Sequence, residues 1–374
     1  MTAVLVTGAA GFIGKNLVAT LRRREGIELY ALDLGASEAE WDEALARAEV
    51  IFHLAGVNRP PAPEQYEAGN AGLTRDLCAR LRQLGRAPTF VLSSSVQAEL
   101  DNPYGRSKRR AEEEVARFAA DSGGRAVIFR LKNVFGKWCR PNYNSVVATF
   151  CHHIARGLPI TISDAARELA LIYIDDVVEA FLRILDEPPA PGCEYREVRP
   201  VYSTTLGALA ATIEGFRAMR HTLVLPDFSD PFARSLYATY LSYLPEDGFA
   251  YPLEVKADAR GCLAEFIKSP HAGQVFVSRT RPGITRGNHY HHTKVEKFLV
   301  VEGEAAIRFR HILSGQVLTY RVSGTDLKVV DIPPGYTHSI QNVGAGEMVV
   351  LFWASEMFDP ERPDTVYEEV TGDE

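Results

Sequence analysis

The sequence predicts a two-part α/β protein, a doubly wound parallel sheet followed by an all-β jelly-roll barrel. Three observations carry that reading. Strand-like and helix-like segments alternate through the first half, a glycine-rich turn stands between the first strand and the first helix, and short β-branched and aromatic segments separated by Gly, Pro and Ser fill the last third. The 374 residues are about twice the ~100–200 expected of one domain.

Taken in order, residues 3–6 form an apolar run, 13–23 have helical periodicity, 28–32 alternate as a strand, and 50–54 are again apolar. A helix near 72–84, a strand at 89–92, a helix over 104–120 and a strand at 126–130 continue the rhythm, as expected of parallel strands covered on both faces. The rhythm weakens after about residue 195, and 206–220 reads as one amphipathic helix. Turn formers concentrate at 244–252, which places the boundary between domains 1–245 and 246–374. Beyond it, 273–279, 296–301, 305–311, 317–322 and 348–353 read as barrel strands.

Composition narrows the function. Hydrophobic residues at 46% and charged residues at 24% suit packed cores rather than a disordered chain. A net charge of −7 offers no global attraction for nucleic acid or an anionic membrane. Cys78, Cys139, Cys151, Cys193 and Cys262 form no Cys-x-x-Cys pair, which argues against a thiolate zinc cage and fits a reducing compartment. With no signal-peptide pattern at the start and no run of 18 apolar residues, a soluble cytoplasmic protein is expected. The acidic tail, Glu368, Glu369, Asp373 and Glu374, reads as solvated.

Gly8, Gly11 and Gly14 are spaced Gly-x-x-Gly-x-x-Gly where a helix N-terminus can bind a pyrophosphate. Gly8 would allow the tight turn, Gly11 the approach of the diphosphate and Gly14 close helix packing. Asp33 ends the second strand, where a carboxylate accepts hydrogen bonds from an adenosine ribose and repels a 2′-phosphate. That favours NADH, although Arg22, Arg23 and Arg24 nearby keep NADPH open. Tyr104 and Lys108, at i and i+4, share one helix face, so the ammonium can lower the phenol pKa and reach a nicotinamide ribose. Ser93, Ser94 and Ser95 precede them at a strand end, and a serine hydroxyl there can hold a carbonyl beside the phenol. Of the three, Ser94 is taken as the substrate-binding one.

These motifs resemble the extended short-chain dehydrogenase/reductase family over residues 1–245. His53-Leu54-Ala55-Gly56 is similar to the segment lining the adenine side, and 130–136, Arg-Leu-Lys-Asn-Val-Phe-Gly, to the substrate-side stretch. The resemblance implies a Rossmann-type fold and a cofactor held by Gly8, Gly11, Phe12, Ile13, Gly14, Asp33, Leu54, Ala55, Gly56, Tyr104 and Lys108. Ser94, Tyr104 and Lys108 would be catalytic, and Asn133 would bind substrate. Two departures stand out. The short span from Gly14 to His53 predicts a reduced or missing third strand, and Ser95-Val96 replaces the Asp-Glu pair of sugar-nucleotide dehydratases, which favours ketone reduction over dehydration.

The last third holds six of the ten histidines. His289, His291 and Glu296, within His-x-His-x4-Glu-x6-Gly, and His338 after Pro-Pro-Gly-Tyr-Thr make a set of three imidazoles and a carboxylate. Such a set suits Zn2+ or another divalent metal. His292 should point away from its neighbours, and His271 and His311 read as structural. The two stretches resemble the motifs of the cupin family, a small β-barrel.

A ketone reductase joined to a metal cupin suggests two steps on one keto-sugar: polarisation of the carbonyl, epimerisation at the neighbouring carbon, then reduction. Residues 136–145 and 240–245 extend the resemblance over the whole chain, to bacterial capsular polysaccharide enzymes that fuse these two domains. It implies a homodimer in which the cupin epimerises C3 of a UDP-2-acetamido-2,6-dideoxy-4-hexulose. The reductase, with NADPH, would then give UDP-2-acetamido-2,6-dideoxy-L-talose on the route to UDP-N-acetyl-L-fucosamine. Lys137 and Arg140 would meet the substrate diphosphate. The rival readings are a keto-sugar reductase whose cupin only dimerises or senses a ligand, and an iron oxygenase. The epimerase base stays open among Lys294, Tyr336 and His292.

Overall fold

A computed structural model describes residues 1–258, 261–264, 267, 273–356 and 361–370. His271, Asp373, Glu374 and the side chain of Cys262 lie outside the described set. The chain divides into two compact units, Met1–Ser145 with Glu168–Thr204 and Val146–Arg167 with Thr205–Glu374.

The first unit opens with β1 (Thr2–Thr7), α1 (Phe12–Leu21), β2 (Ile27–Leu32), α2 (Glu38–Arg47) and β3 (Val50–His53). It continues with α3 (Glu64–Tyr66), α4 (Leu73–Gln83), β4 (Thr89–Ser95), α5 (Pro103–Ser122), β5 (Arg125–Leu131) and β6 (Asn133–Phe135). After α6 (Val146–Ala155), which belongs to the second unit, come β7 (Glu168–Tyr173), α7 (Ile174–Asp186), β8 (Gly192–Arg196) and β9 (Tyr202–Thr205).

Six parallel strands in the order β2-β1-β3-β4-β5-β8 make the main sheet. Alternation sends Val4, Val6, Phe52, Val91, Val127 and Phe129 to one face, against Leu17, Leu21, Val177 and Phe181 of α1 and α7. Leu5, Ile51, Phe90, Leu92 and Ile128 go to the other, against Leu45, Leu77, Leu81, Val115 and Phe118 of α2, α4 and α5. This is the doubly wound sheet the sequence predicts. β2 is its edge, and α2 returns directly to β3, so the expected third strand is missing among the described residues. Helix α2 is absent from the periodicity reading, although its start is legible: Ser37 and Glu40 form a reciprocal capping box.

The second unit adds α8 (Leu206–Thr222), α9 (Pro231–Leu241), β10 (Ala250–Pro252) and the hairpin β11 (Val255–Asp258) and β12 (Gly261–Ala264). Then come β13 (Gln274–Thr280), β14 (Thr285–Tyr290), β15 (Glu296–Glu302), β16 (Glu304–His311), β17 (Val317–Ser323), β18 (Lys328–Ile332), β19 (Tyr336–Asn342), β20 (Met348–Ala354) and β21 (Val366–Tyr367). Two five-stranded sheets, β10-β18-β15-β20-β13 and β17-β16-β19-β14-β21, give the jelly roll.

The two compact units differ from a single division at 245/246, with crossings after Ser145, Arg167 and Thr204. The reason is that α6, α8 and α9 pack on one another, with Phe216 of α8 against Tyr237 and Tyr240 of α9, and belong with the barrel. Arg220 of α8 joins them to it: its guanidinium donates to Asp331 Oδ2 on β18 at 2.7 Å, and Lys297 of β15 donates to Asp331 Oδ1 at 2.5 Å. The tail is not simply solvated either, since Glu368 pairs with Arg310 at 3.0 Å. Among the described residues no helix is long and apolar enough to cross a membrane.

The Lys297–Asp331–Arg220 triad is buried, Asp331 at 1% side-chain exposure. Asp331→Ala leaves two cations without their anion and is expected to cost about 3–5 kcal/mol, measured as urea unfolding of the intact chain. The joint replacement Lys297→Met, Asp331→Leu, Arg220→Met is expected to cost less.

Candidate active site and metal centre

The glycine turn ends β1 at the carboxyl edge of the sheet. Gly8 has φ +68°, and a Cβ there would lie 2.6 Å from Ala55 N, so only glycine lets the β3 edge approach. A Cβ on Gly14 would lie 2.1 Å from Gly8 O, so α1 sits directly on the turn. Gly11 caps α1 without a side-chain bond, leaving the first-turn N–H groups at Phe12 and Ile13 available to an anion. Asp33 pins this loop: its Oδ2 accepts Ala10 N–H at 2.7 Å and its Oδ1 accepts Leu34 N–H at 2.7 Å. Below the β3 edge that carries Leu54, Ala55 and Gly56, buried His53 sits between the hydroxyls of Thr7 (2.7 Å) and Thr74 (3.0 Å). Burial pushes its pKa down to about 3, so it is neutral. Those residues fit a dinucleotide.

Asn102 accepts Gly105 N–H at 2.7 Å and starts α5, with Pro103 in its first turn. Tyr104, Lys108 and Glu112 then follow at four-residue intervals. Ser94 Oγ donates to buried Glu112, while Ser95, of opposite parity on β4, is the serine whose hydroxyl acts on the Tyr104 phenol, lowering its pKa. The assignment of Ser94 is thus corrected, and the cause is strand parity. Burial raises the Tyr104 pKa, opposed by the Ser95 bond, and Tyr66 and Tyr143 also raise it. The expected lowering by Lys108 is not among these influences. Lys108 Nζ instead donates to Ser93 O at 2.6 Å, and burial pushes its pKa down to about 8 against the pull of Glu112. Glu112 also receives a fork from Arg130, at 3.0 Å to Oε1 and 2.6 Å to Oε2.

On the substrate side Asn133 is exposed on β6, and the Arg140 guanidinium, also exposed, lies 5.3 Å from the Tyr143 ring centre. Lys137 is corrected. It is 2% exposed, and its Nζ donates to Asp175 at 2.7 Å, so the ion pair occupies the ammonium meant for a diphosphate.

In the barrel, a bulge at Gly287 and Asn288, with φ +96° and +55°, re-aims His289, which pairs across β14 and β19 with His338. His291 lies just beyond β14, and Glu296 begins β15. The donor atoms of these four residues lie within 4.8 Å of one another. Glu296 Oε2 is 3.3 Å from Nε2 of both His291 and His338, yet neither nitrogen has hydrogen-bond geometry to a partner. A tetrahedral site with metal–ligand bonds of about 2 Å has ligand–ligand edges of about 3.4 Å. Those separations and orphaned nitrogens fit a divalent cation. Burial, with the neighbouring imidazoles, pushes the His289 pKa down to about 4, the neutral state a ligand needs. Lys294 Nζ donates to Thr365 at 3.0 Å, the His292 ring meets Tyr290 edge-on, and buried Tyr336 stands two residues before His338.

Residues 4–195 match the NAD dependent epimerase/dehydratase family and residues 256–366 the polysaccharide biosynthesis C-terminal domain. The chain is 47% identical over 97% of both sequences to UDP-2-acetamido-2,6-beta-L-arabino-hexul-4-ose reductase of Pseudomonas aeruginosa. Among solved structures it is similar to the capsular polysaccharide assembling protein CapF of Staphylococcus aureus, with 44% identity, 99% and 100% of the two chains covered, and a TM-score of 0.67. The chain belongs to the NAD dependent epimerase/dehydratase family, within its CapF group. A UDP-glucuronic acid 4-epimerase of Bacillus cereus, 18% identical over 57% of this chain and 83% of its own with a TM-score of 0.51, shares the fold.

Sequence reasoning set Ser95 behind Ser94 and passed over Glu112, the partner of Ser94 and Arg130. Strand parity signals the first and the Tyr104-x3-Lys108-x3-Glu112 spacing the second. Two outcomes follow for this CapF-group chain. Ser95→Ala is expected to lower kcat for NAD(P)H-dependent reduction about 10²-fold, whereas Ser94→Ala should leave kcat nearly intact and lower the melting temperature. Glu112→Gln removes the charge that raises the Lys108 pKa, so the ammonium loses its proton earlier. The alkaline limb of the reductase pH profile should move to lower pH than in the wild type.

Proposed function

We propose that this chain is a bifunctional sugar-nucleotide enzyme of capsule or O-antigen synthesis. Its barrel epimerises C3 of a UDP-2-acetamido-2,6-dideoxy-4-hexulose, and its first unit reduces the C4 ketone to UDP-2-acetamido-2,6-dideoxy-L-talose. The product lies on the route to UDP-N-acetyl-L-fucosamine, and the working form is a cytoplasmic homodimer. The observation that carries the reading is the coexistence in one chain of a Ser95–Tyr104–Lys108 proton-donating site and a four-ligand cluster. The P. aeruginosa relative, named for the reductase step and aligned over both units, supports it.

In the reductase the glycine turn, Asp33 and the Leu54–Gly56 edge would hold NADPH or NADH, which would supply the hydride to the carbonyl carbon. Tyr104, kept protonated by burial, gives its proton to the carbonyl oxygen as that carbon is reduced. Ser95 donates to the same oxygen and holds it beside the phenol. Lys108 presents its ammonium toward the ribose, and Arg140 offers a charge to the substrate diphosphate. In the barrel His289, His291, Glu296 and His338 would hold the cation, Zn2+ or another divalent metal, whose Lewis acidity stabilises negative charge on the C4 oxygen when the C3 proton is removed. The three imidazoles and the carboxylate would hold it in place.

The deciding experiment follows the 4-keto sugar nucleotide by NMR in D2O, with NADH and NADPH in separate arms. Tyr104→Phe is expected to abolish hydride transfer and leave solvent deuterium exchange at C3 intact; His289→Ala is expected to release metal and stop the exchange. Undiminished exchange in metal-free protein would make the metal structural and place the proton chemistry elsewhere; no exchange in the metal-loaded wild type would sink the epimerase role and leave the barrel a dimerisation or ligand-sensing module.

A further inference from the structure

The segment from 291 to 296 carries a ligand at each end, His291 and Glu296, and between them it has no regular structure. One residue about seventy positions away holds it. Asp364 Oδ1 accepts His292 N–H at 2.9 Å, and its Oδ2 accepts Thr293 N–H (2.7 Å), Thr293 Oγ1–H (2.9 Å) and Lys294 N–H (2.7 Å). Its backbone carbonyl accepts from His291 Nδ1. A ring that donates from Nδ1 leaves Nε2 as the bare lone pair, and His291 Nε2 is the buried nitrogen facing Glu296.

The neighbours of Asp364 extend the grip. Thr365 Oγ1 accepts Lys294 Nζ, β21 pairs with β14 through Tyr367 opposite His289, and Glu368 N–H donates to Asn288 O at 2.8 Å. The Glu368 carboxylate accepts Thr337 Oγ1–H at 3.1 Å, one residue before His338. Residues 364–368 thus touch each of the three histidine-bearing segments. Accepting three backbone N–H groups also stabilises the Asp364 carboxylate, whose pKa falls to about 2 despite burial.

We propose that Asp364 is the positioning residue of the metal centre, selecting the His291 tautomer with its main chain and locking the segment before Glu296 with its side chain. The inference rests on the metal-centre reading above. By reciprocity, a cation bound to the ligands must tighten the contacts that position them.

The test measures Zn2+ affinity of the full chain by competition with a chelator, alongside the melting temperature of the metal-free protein. Asp364→Asn keeps the backbone carbonyl and the shape but removes the charge and, with its oxygen left on the Thr293 and Lys294 donors, turns an NH2 against His292 N–H. It is expected to raise the Kd about tenfold or more, and Asp364→Ala more still. Zn2+ should slow amide exchange at His292, Thr293 and Lys294 in the wild type and not in Asp364→Asn. If Asp364→Asn melts lower yet holds Zn2+ within twofold of wild type, the residue is structural only and the proposal falls. If the wild type binds no Zn2+, the metal-centre reading fails and takes the proposal with it.

Discussion

A charge taken out of water must find an opposite charge or a full set of hydrogen bonds, and both units are built around that constraint. In the first, Lys108 is buried on α5 with its ammonium on Ser93 O, and one turn later Glu112 gathers Ser94, Arg130 and the ammonium's field. This single carboxylate ties α5 to β4 and β5, which places Tyr104 over the end of the sheet. In the second unit the same rule acts on adjacent residues of β15. Glu296 turns toward the histidines and Lys297 toward Asp331, because consecutive strand residues face opposite sides. The strand thereby carries a four-ligand cluster on one face and a compensated ion triad on the other.

The sequence made the chemistry legible wherever the partners were close along the chain. The Gly8–Gly14 spacing, the Tyr104–Lys108 face and the His289–Glu296 motif are local, and the positions found for them follow from helix and strand periods alone. Ser95 was within reach of the same logic, since parity separates it from Ser94, but three serines in a row offer no chemical contrast. Lys137 misleads for a different reason. A lysine beside Trp138 reads as an anion contact, and only the fold brings Asp175, 38 positions on, within 2.7 Å. Asp364 is the extreme case: an ordinary acidic residue near the end of the chain that folding sets against the metal motif. The difference between the expected boundary at 245/246 and the two compact units has the same origin, because turn-rich composition marks where a chain bends and not which unit its helices join.

Asp33 shows how a local reading and a long-range one combine. As a strand-end carboxylate it is suited to ribose hydroxyls, and it also closes the glycine loop by accepting Ala10 N–H. Each carboxylate oxygen has a second lone pair, so the two roles are compatible for a ribose with a free 2′-hydroxyl. A 2′-phosphate placed about 5 Å away meets a repulsion of roughly 3 kcal/mol per unit charge at an effective dielectric of ~20. Arg24, one of the cations close in sequence, is paired with Asp186. Relieving the repulsion by swinging Asp33 outward would release Ala10 N–H and loosen the turn on which the diphosphate rests. The choice between NADH and NADPH is therefore coupled to the geometry of the glycine loop, and not to one exposed charge.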